Sequence, residues 1–218
     1  VRSRRQRQMC IRDRDSSAAI WWAQCKGWDT THLVTMIVEG EDSWMFQIPG
    51  TSMVEMQAKL CGCDWLAVTT QGIQEEEISD LESALATLDI DGIVSGAIRS
   101  DYQKTRLERM CERLGIKSFT PLWHQSSESH MDGLVSNGFQ VMITGVSSEG
   151  LTDEWLGHVL TAESLLRLKS LAAKYRFNVD GEGGEYETLV VAGPHMNGIL
   201  DLQFKTEWDG IRGHLIFQ

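Results

Sequence analysis

Two segments of the chain carry residue types at spacings that chemistry uses. The first is Ser95-Gly96-Ala97-Ile98-Arg99-Ser100-Asp101-Tyr102-Gln103-Lys104-Thr105-Arg106. Ser100 with Gln103 three residues on reads as a capping box, so a helix is expected to begin there. The start of that helix offers free N–H groups and the positive end of a dipole, which suits a phosphate. Arg106, from the first turns, is placed to clamp a phosphate with two parallel N–H bonds. The same residues also read as a well-capped structural helix in which Arg106 and Arg109 pair with Glu108 and Glu112. The second segment is Asp180-Gly181-Glu182-Gly183-Gly184-Glu185-Tyr186-Glu187-Thr188. Its glycines permit positive φ and close backbone approach. Glu182, Glu185 and Glu187 could hold a cation, a metal or an amine, and Tyr186 adds a π face. The other reading is a solvated acidic turn before a strand over Thr188–Ala192.

The remaining candidates carry less. Cys61 and Cys63 form a C-x-C rather than the paired C-x₂-C of a zinc site, and read as buried thiols. His124 follows Pro121-Leu122-Trp123, but no Ser or Cys nucleophile motif accompanies it, so a packed or hydrogen-bonded imidazole is expected. Trp21, Trp22, Trp65 and Trp155 fall on predicted core faces.

These segments must be positioned by regular elements. Helical spacing is read over Ser16–Lys26, Ser52–Leu60, Glu75–Thr87, Tyr102–Leu114 and Thr161–Tyr175. Strands are read over Thr31–Val38, Asp64–Thr70, Gly92–Ser95, Lys117–Thr120 and Phe139–Val146. Ile199–Gln218 alternates like a strand pair. Strands alternating with helices predict an α/β fold with a parallel sheet covered on both faces. The Ser95–Arg106 segment then falls at the carboxyl edge of that sheet, where open α/β folds bind ligands.

The chain has 218 residues, 42% of them apolar and 23% charged, as expected for a globular protein with a buried core. No stretch approaches the ~20 apolar residues of a membrane span. Asp and Glu outnumber Lys and Arg 31 to 20, for a net charge of −11, which disfavours nucleic acid as a general partner. Five Cys in a chain this long do not form a disulfide framework, so a reducing cytoplasm is the expected compartment. Val1–Arg14 stands apart: it holds six Arg and one Asp, and almost no apolar residue. It lacks the apolar core of a secretory signal. Arg7–Arg14, RQMCIRDR, resembles the conceptual translation of a sequencing-adapter remnant. Residues 1–14 are therefore expected to be artefactual or disordered and to lie outside the fold.

Taken together, the motifs resemble one family. Gly96, Ala97, Ile98, Ser100, Tyr102, Gln103, Arg106, Glu108, Cys111, Leu114 and Gly115 match its first motif. Pro121-Leu122-Trp123, Gly181 to Val190 and Gly193-Pro194 continue the match. This pattern is similar to the diphthine–ammonia ligases, members of the PP-loop (N-type) ATP pyrophosphatases. The resemblance runs from about Asp15 to Pro194. It implies a Rossmann-like (HUP) parallel sheet over 15–120 that binds nucleotide, and a smaller C-terminal α+β lobe over 121–218 that recognises substrate. It also implies ATP as cofactor, with Mg²⁺ accompanying it and no firm metal ligand in the protein. The implied reaction activates the carboxylate of diphthine, on translation elongation factor two, as an acyl-adenylate with release of pyrophosphate. Ammonia then displaces AMP to give the amide. Catalytic roles would fall on Asp15, Ser16 and Arg106, and nucleotide contacts on Asp15, Ser16, Gly96, Ala97, Ser100, Gln103 and Arg106. Substrate contacts would fall on Tyr102, Glu182, Gly183, Gly184, Glu185, Tyr186, Glu187 and Thr188. Glu182, Glu185, Glu187 and Tyr186 would cradle the trimethylammonium group of diphthine.

One departure stands out. The family opens with an apolar strand running into S-G-G-K-D-S, and only Asp15 and Ser16 of that motif are present. Ile11, Arg12, Asp13 and Arg14 stand where Ser-Gly-Gly-Lys is expected. Asp13 puts a carboxylate where a phosphate must approach, and no glycine permits close contact. The first, central strand is expected to be missing and ATP binding to be impaired. Two alternatives remain: a related PP-loop ligase or amidase with another carboxylate substrate, and a non-catalytic nucleotide-binding module.

Overall fold

A computed structural model describes residues 5–9, 14–38, 50–71 and 76–218, with backbone alone at 5–9, 38 and 50–52. The chain divides into two compact units. Among the described residues, the first holds 5–9 and Asp15–His124, and the second holds Arg14 and Gln125–Gln218. Pro121, Leu122 and Trp123 thus pack with the first unit.

The first unit alternates strand and helix: β1 (Arg5–Met9), α1 (Arg14–Cys25), β2 (Asp29–Val38), α2 (Gly50–Cys61), β3 (Asp64–Thr70), α3 (Glu76–Ala86), β4 (Gly92–Ser95), α4 (Asp101–Leu114) and β5 (Lys117–Phe119). Its five strands are parallel in the order β3-β2-β1-β4-β5. Parallel neighbours require crossovers, and the helices supply them. Alternation along β4 gives the sheet two buried faces. Ile93 packs with Leu81 and Leu85 of α3 and with Leu107, Met110 and Cys111 of α4. Val94 packs with Ala19 and Ala23 of α1, beside Trp22, Trp28 and Phe119. Of the four tryptophans placed on core faces from sequence, Trp155 is fully buried, while Trp21, Trp22 and Trp65 are partly exposed.

The strand at Arg5–Met9 corrects the expectation that the first strand is missing; residues 1–4 and 10–13 lie outside the described residues. Its backbone pairs Met9 with Val34 of β2 and with Ser95 of β4. The physical reason lies in the ladder. With β2 on one side and β4 on the other, two rows of N–H and C=O groups face each other, and only an extended segment between them satisfies both. Side-chain polarity in RQRQM is the weaker signal. Arg14 likewise belongs to the fold, as the first residue of α1.

The second unit holds α5 (Ser127–Ser136), β6 (Gln140–Val146), a 3₁₀ turn at Asp153–Trp155, α6 (Ala162–Tyr175), β7 (Tyr186–Ala192), β8 (Phe204–Trp208) and β9 (Gly213–Phe217). Its sheet is antiparallel in the order β7-β6-β9-β8. The core is formed by Val141 and Ile143 of β6, Val190 of β7, Leu168 of α6, Met131 of α5 and Trp155. Thr161 and Ser164 close a reciprocal capping box at the start of α6. The strand pair read over Ile199–Gln218 is the β8–β9 hairpin.

Candidate functional site

In the order β3-β2-β1-β4-β5 the chain's path reverses between β1 and β4. That is the topological switch point, where doubly wound sheets open a crevice at the carboxyl ends of their strands. Two segments identified from sequence meet there. Asp15, Ser16 and Ser17 lie in the first turn of α1, at 5%, 4% and 0% exposure. Gly96 follows β4 directly, and a Cβ on it would stand 2.6 Å from both the Asp15 carbonyl carbon and the Ser16 nitrogen. Only glycine lets the two backbones approach this closely. Ser95 Oγ accepts from the Ala97 N–H at 3.2 Å and turns the chain out of the strand.

Ser100 caps α4 with its hydroxyl, which accepts from the Gln103 N–H at 3.3 Å, the first half of the capping box read from sequence. Arg106 sits elsewhere than at the mouth of α4. Its guanidinium lies over the Tyr102 ring, 3.5 Å from the centroid, and lines a groove shared with Ser79 and Glu82 of α3. Glu108 is held by Lys104 at 2.6 Å, and Arg113 forks onto Glu82 through Nε at 3.0 and 2.9 Å. That pairing holds the Glu82 carboxyl below its ordinary range.

Ser17 was not singled out from sequence. Its side chain is fully buried in the first turn of α1, and its hydroxyl has no hydrogen-bond partner among the described residues. The doublet Ser16-Ser17 at a helix start was the available signal. Ile11, Arg12 and Asp13, read as replacing the phosphate loop, lie outside the described residues. Arg14 is described and clusters with the second unit. Its Nη1 donates to Thr188 Oγ1 and its Nη2 to Glu182 Oε1, both at 3.2 Å. Its guanidinium lies 5.9 Å from the Tyr186 ring centroid.

The Asp180–Thr188 segment is folded on itself and does not form an open cradle. The Glu185 carboxylate accepts from the Asn178 and Gly183 N–H groups, each at 2.8 Å. The Tyr186 hydroxyl donates to the Val179 carbonyl at 2.5 Å, and its ring is buried at 3%. Ser147 Oγ donates to the Gly184 carbonyl at 2.5 Å. Gly181 and Gly184 adopt φ of +69° and +81°, which the loop requires. Glu187 points outward on β7 while Tyr186 and Thr188 point inward. The four side chains assigned to one cation therefore diverge. The physical reason is that a loop of three glycines needs internal acceptors for its own N–H groups, and Glu185 supplies them.

The thiols behave as read. Cys61 and Cys63 are buried, and burial pushes each up to about 12. Cys63 donates to the Thr30 carbonyl at 3.0 Å. His124 is exposed and stacks on Trp123, with ring centroids 4.8 Å apart. Among the described residues no group of three or more His, Cys, Asp and Glu could hold a metal ion, and no helix is long and apolar enough to cross a membrane.

The five-stranded parallel sheet with its switch point, and a second unit of α+β type, define the class, a Rossmann-like α/β protein. Two family models match in succession: the diphthamide synthase N-terminal domain over residues 6–118, and the diphthamide synthase C-terminal domain over 126–218. The chain belongs to the diphthamide synthase family. It is 32% identical over 169 residues to a diphthine–ammonia ligase of Danio rerio, covering 70% of this chain and 66% of that protein. It is 33% identical over 172 residues to one of Schizosaccharomyces pombe, covering 70% of this chain and 28% of that protein. It is 31% identical over 169 residues to one of Homo sapiens, covering 70% and 63%. The matched region thus spans less than two thirds of these relatives' own length. A solved structure from Methanocaldococcus jannaschii, described as "predicted subunit of tRNA methyltransferase", overlays with a TM-score of 0.48 and 16% identity, over 88% of this chain and 98% of that one.

Proposed function

We propose that the chain is the catalytic portion of an ATP-dependent amide ligase that joins ammonia to the carboxylate of diphthine on translation elongation factor two. AMP and pyrophosphate are the other products. The observation that carries this reading is the packing of Gly96 on the Asp15–Ser16 peptide at the switch point, in a chain of this family. The residues present fit a nucleotide there in part. The start of α1 presents the positive end of its helix dipole, and the buried Ser17 hydroxyl supplies a donor. Asp15 and Ser16 border the same turn, and Gly96 and Ala97 form the opposing wall. Ser100 and Gln103 hold the start of α4 in place. Mg²⁺ would arrive on the nucleotide phosphates, which usually keep it with few protein ligands. ATP supplies the leaving group that makes the carboxylate reactive toward ammonia.

The residues that replace the glycine-rich loop weaken this site. Arg14 stands at the position of the family's lysine, and its charge is committed to Glu182 and Thr188. ATP binding by this chain is therefore reduced. Calorimetry with ATP and Mg²⁺ tests both points, on this chain and on one carrying Ser-Gly-Gly-Lys at positions 11–14. The substituted chain should bind at least tenfold more tightly. Equal binding by both would overturn the impairment, and binding by neither would overturn the nucleotide site itself and leave the non-catalytic module.

A further inference from the structure

In the antiparallel sheet of the second unit β8 forms one edge, and among the described residues its only ladder is with β9. At the opposite edge the Leu200 N–H donates to the Val191 carbonyl at 2.7 Å, so β7 is partly covered. Which backbone groups of β8 are open follows from the ladder. Just beyond the two ends of β8, the Gln218 N–H donates to the Gln203 carbonyl and the Asp209 N–H to the Arg212 carbonyl. Bonded and non-bonded pairs alternate along an antiparallel ladder, so Lys205 and Glu207 turn their backbone groups to β9. Phe204, Thr206 and Trp208 turn theirs outward. The side chains divide between the two faces of the sheet. Phe204 and Trp208 share a face with the buried Leu215 and Phe217. Lys205 and Glu207 lie on the other face with His214 and Ile216. Glu207 is 62% exposed, with Oε2 3.7 Å from His214 Nε2. Lys205 is exposed and has no ion-pair partner among the described residues.

An open edge is a template for another strand, and a lysine on it commonly keeps other strands away. Lys205 alone would do so, but β8 is complementary to itself in charge. Run antiparallel about Thr206, a second β8 sets Lys205 against Glu207 and Glu207 against Lys205. These fall at the non-hydrogen-bonded pairs, where facing side chains come closest. On the other face Phe204, which is 38% exposed, falls opposite Trp208. The outward N–H and C=O groups of Phe204, Thr206 and Trp208 find partners in the same register. Centring the pair on Lys205 or on Glu207 instead opposes like charges.

We infer that the β8 edge is an isologous interface, at which two copies of this chain join their four-stranded sheets through antiparallel β8–β8 pairing centred on Thr206. The pairing residues all belong to the second unit, and the inference stands whether or not the ligase reading holds.

The test is sedimentation velocity on the full chain and its variants, at concentrations from about 5 µM to about 500 µM, the range in which a small interface associates. The unaltered chain should pass from monomer to dimer as concentration rises. Thr206→Pro removes an outward N–H that the β8–β9 ladder does not use, which edge strands tolerate. It should weaken the dimer about tenfold or more. Lys205→Glu and Glu207→Lys each set like charges across the pair, and each alone should stay monomeric. Mixed in equal amounts, the two charge variants restore opposite charges at both positions and should form a heterodimer. That recovery also shows that both variants fold, and amide spectra verify the fold of Thr206→Pro. A monomer at every concentration would assign the edge to some other occupant and overturn the inference. A dimer untouched by Thr206→Pro, or no heterodimer in the mixture, would overturn it as well.

Discussion

At the scale of single residues, identity and environment separate sharply. Gly96 was legible only as a position of the family motif; that it admits the Asp15–Ser16 peptide against its Cα emerges from the structure. Glu185 was not legible as a structural group: a carboxylate in a glycine-rich loop looks the same in sequence whether it faces a ligand or its own backbone. His195 gives the residue-scale prediction. Its ring is buried and stacked on Phe139 at 5.3 Å, and burial lowers its pKa to about 4. The folded state thus favours the neutral imidazole. Between about pH 6.5 and pH 4 the unfolded chain takes up a proton that the folded chain refuses, so stability falls as pH falls through that window and levels off below it. The full effect is about 3 kcal/mol at most. Denaturant unfolding from pH 7 to 4 should show a shallower decline for His195→Gln than for the unaltered chain, after other titrations cancel in the difference. Parallel curves would show that the imidazole titrates normally.

At the scale of elements, periodicity recovered what packing dictates. β3 and β4 have the bounds read from sequence, and α4 begins one residue earlier, behind the cap that announced it. α5 was missed. Its sequence, SESHMDGLVS, is polar with a central glycine, and its helix rests on the Ser126 cap and on burial of His130, Met131 and Leu134. β1 was missed because its pairing partners, distant in sequence, define it. The Asp180–Tyr186 loop yields the element-scale prediction. Asn178 and Gly183 donate to different oxygens of Glu185, so Glu185→Gln keeps one acceptor and sets an NH₂ group against the other N–H. Amide exchange at those two N–H groups should accelerate severalfold, with stability reduced by about 1 kcal/mol. Unchanged exchange at both would show that the loop holds its shape without the carboxylate.

At the scale of the whole molecule, the two units have separate cores and different sheet types, parallel in one and antiparallel in the other. The second unit draws its core from Met131, Val141, Ile143, Trp155, Leu168 and Val190, all from within residues 125–218. A polypeptide of residues 125–218 should therefore fold alone, with a cooperative thermal transition and dispersed amide resonances. A non-cooperative melt would show that the unit depends on the rest of the chain. The order of strands in the first unit also bears on how the molecule is made. β1 lies at the middle of the sheet but leaves the ribosome before either neighbour. Until β4 has emerged, one edge of β1 can find no native partner, and nascent chains on crowded polysomes would expose that edge to one another.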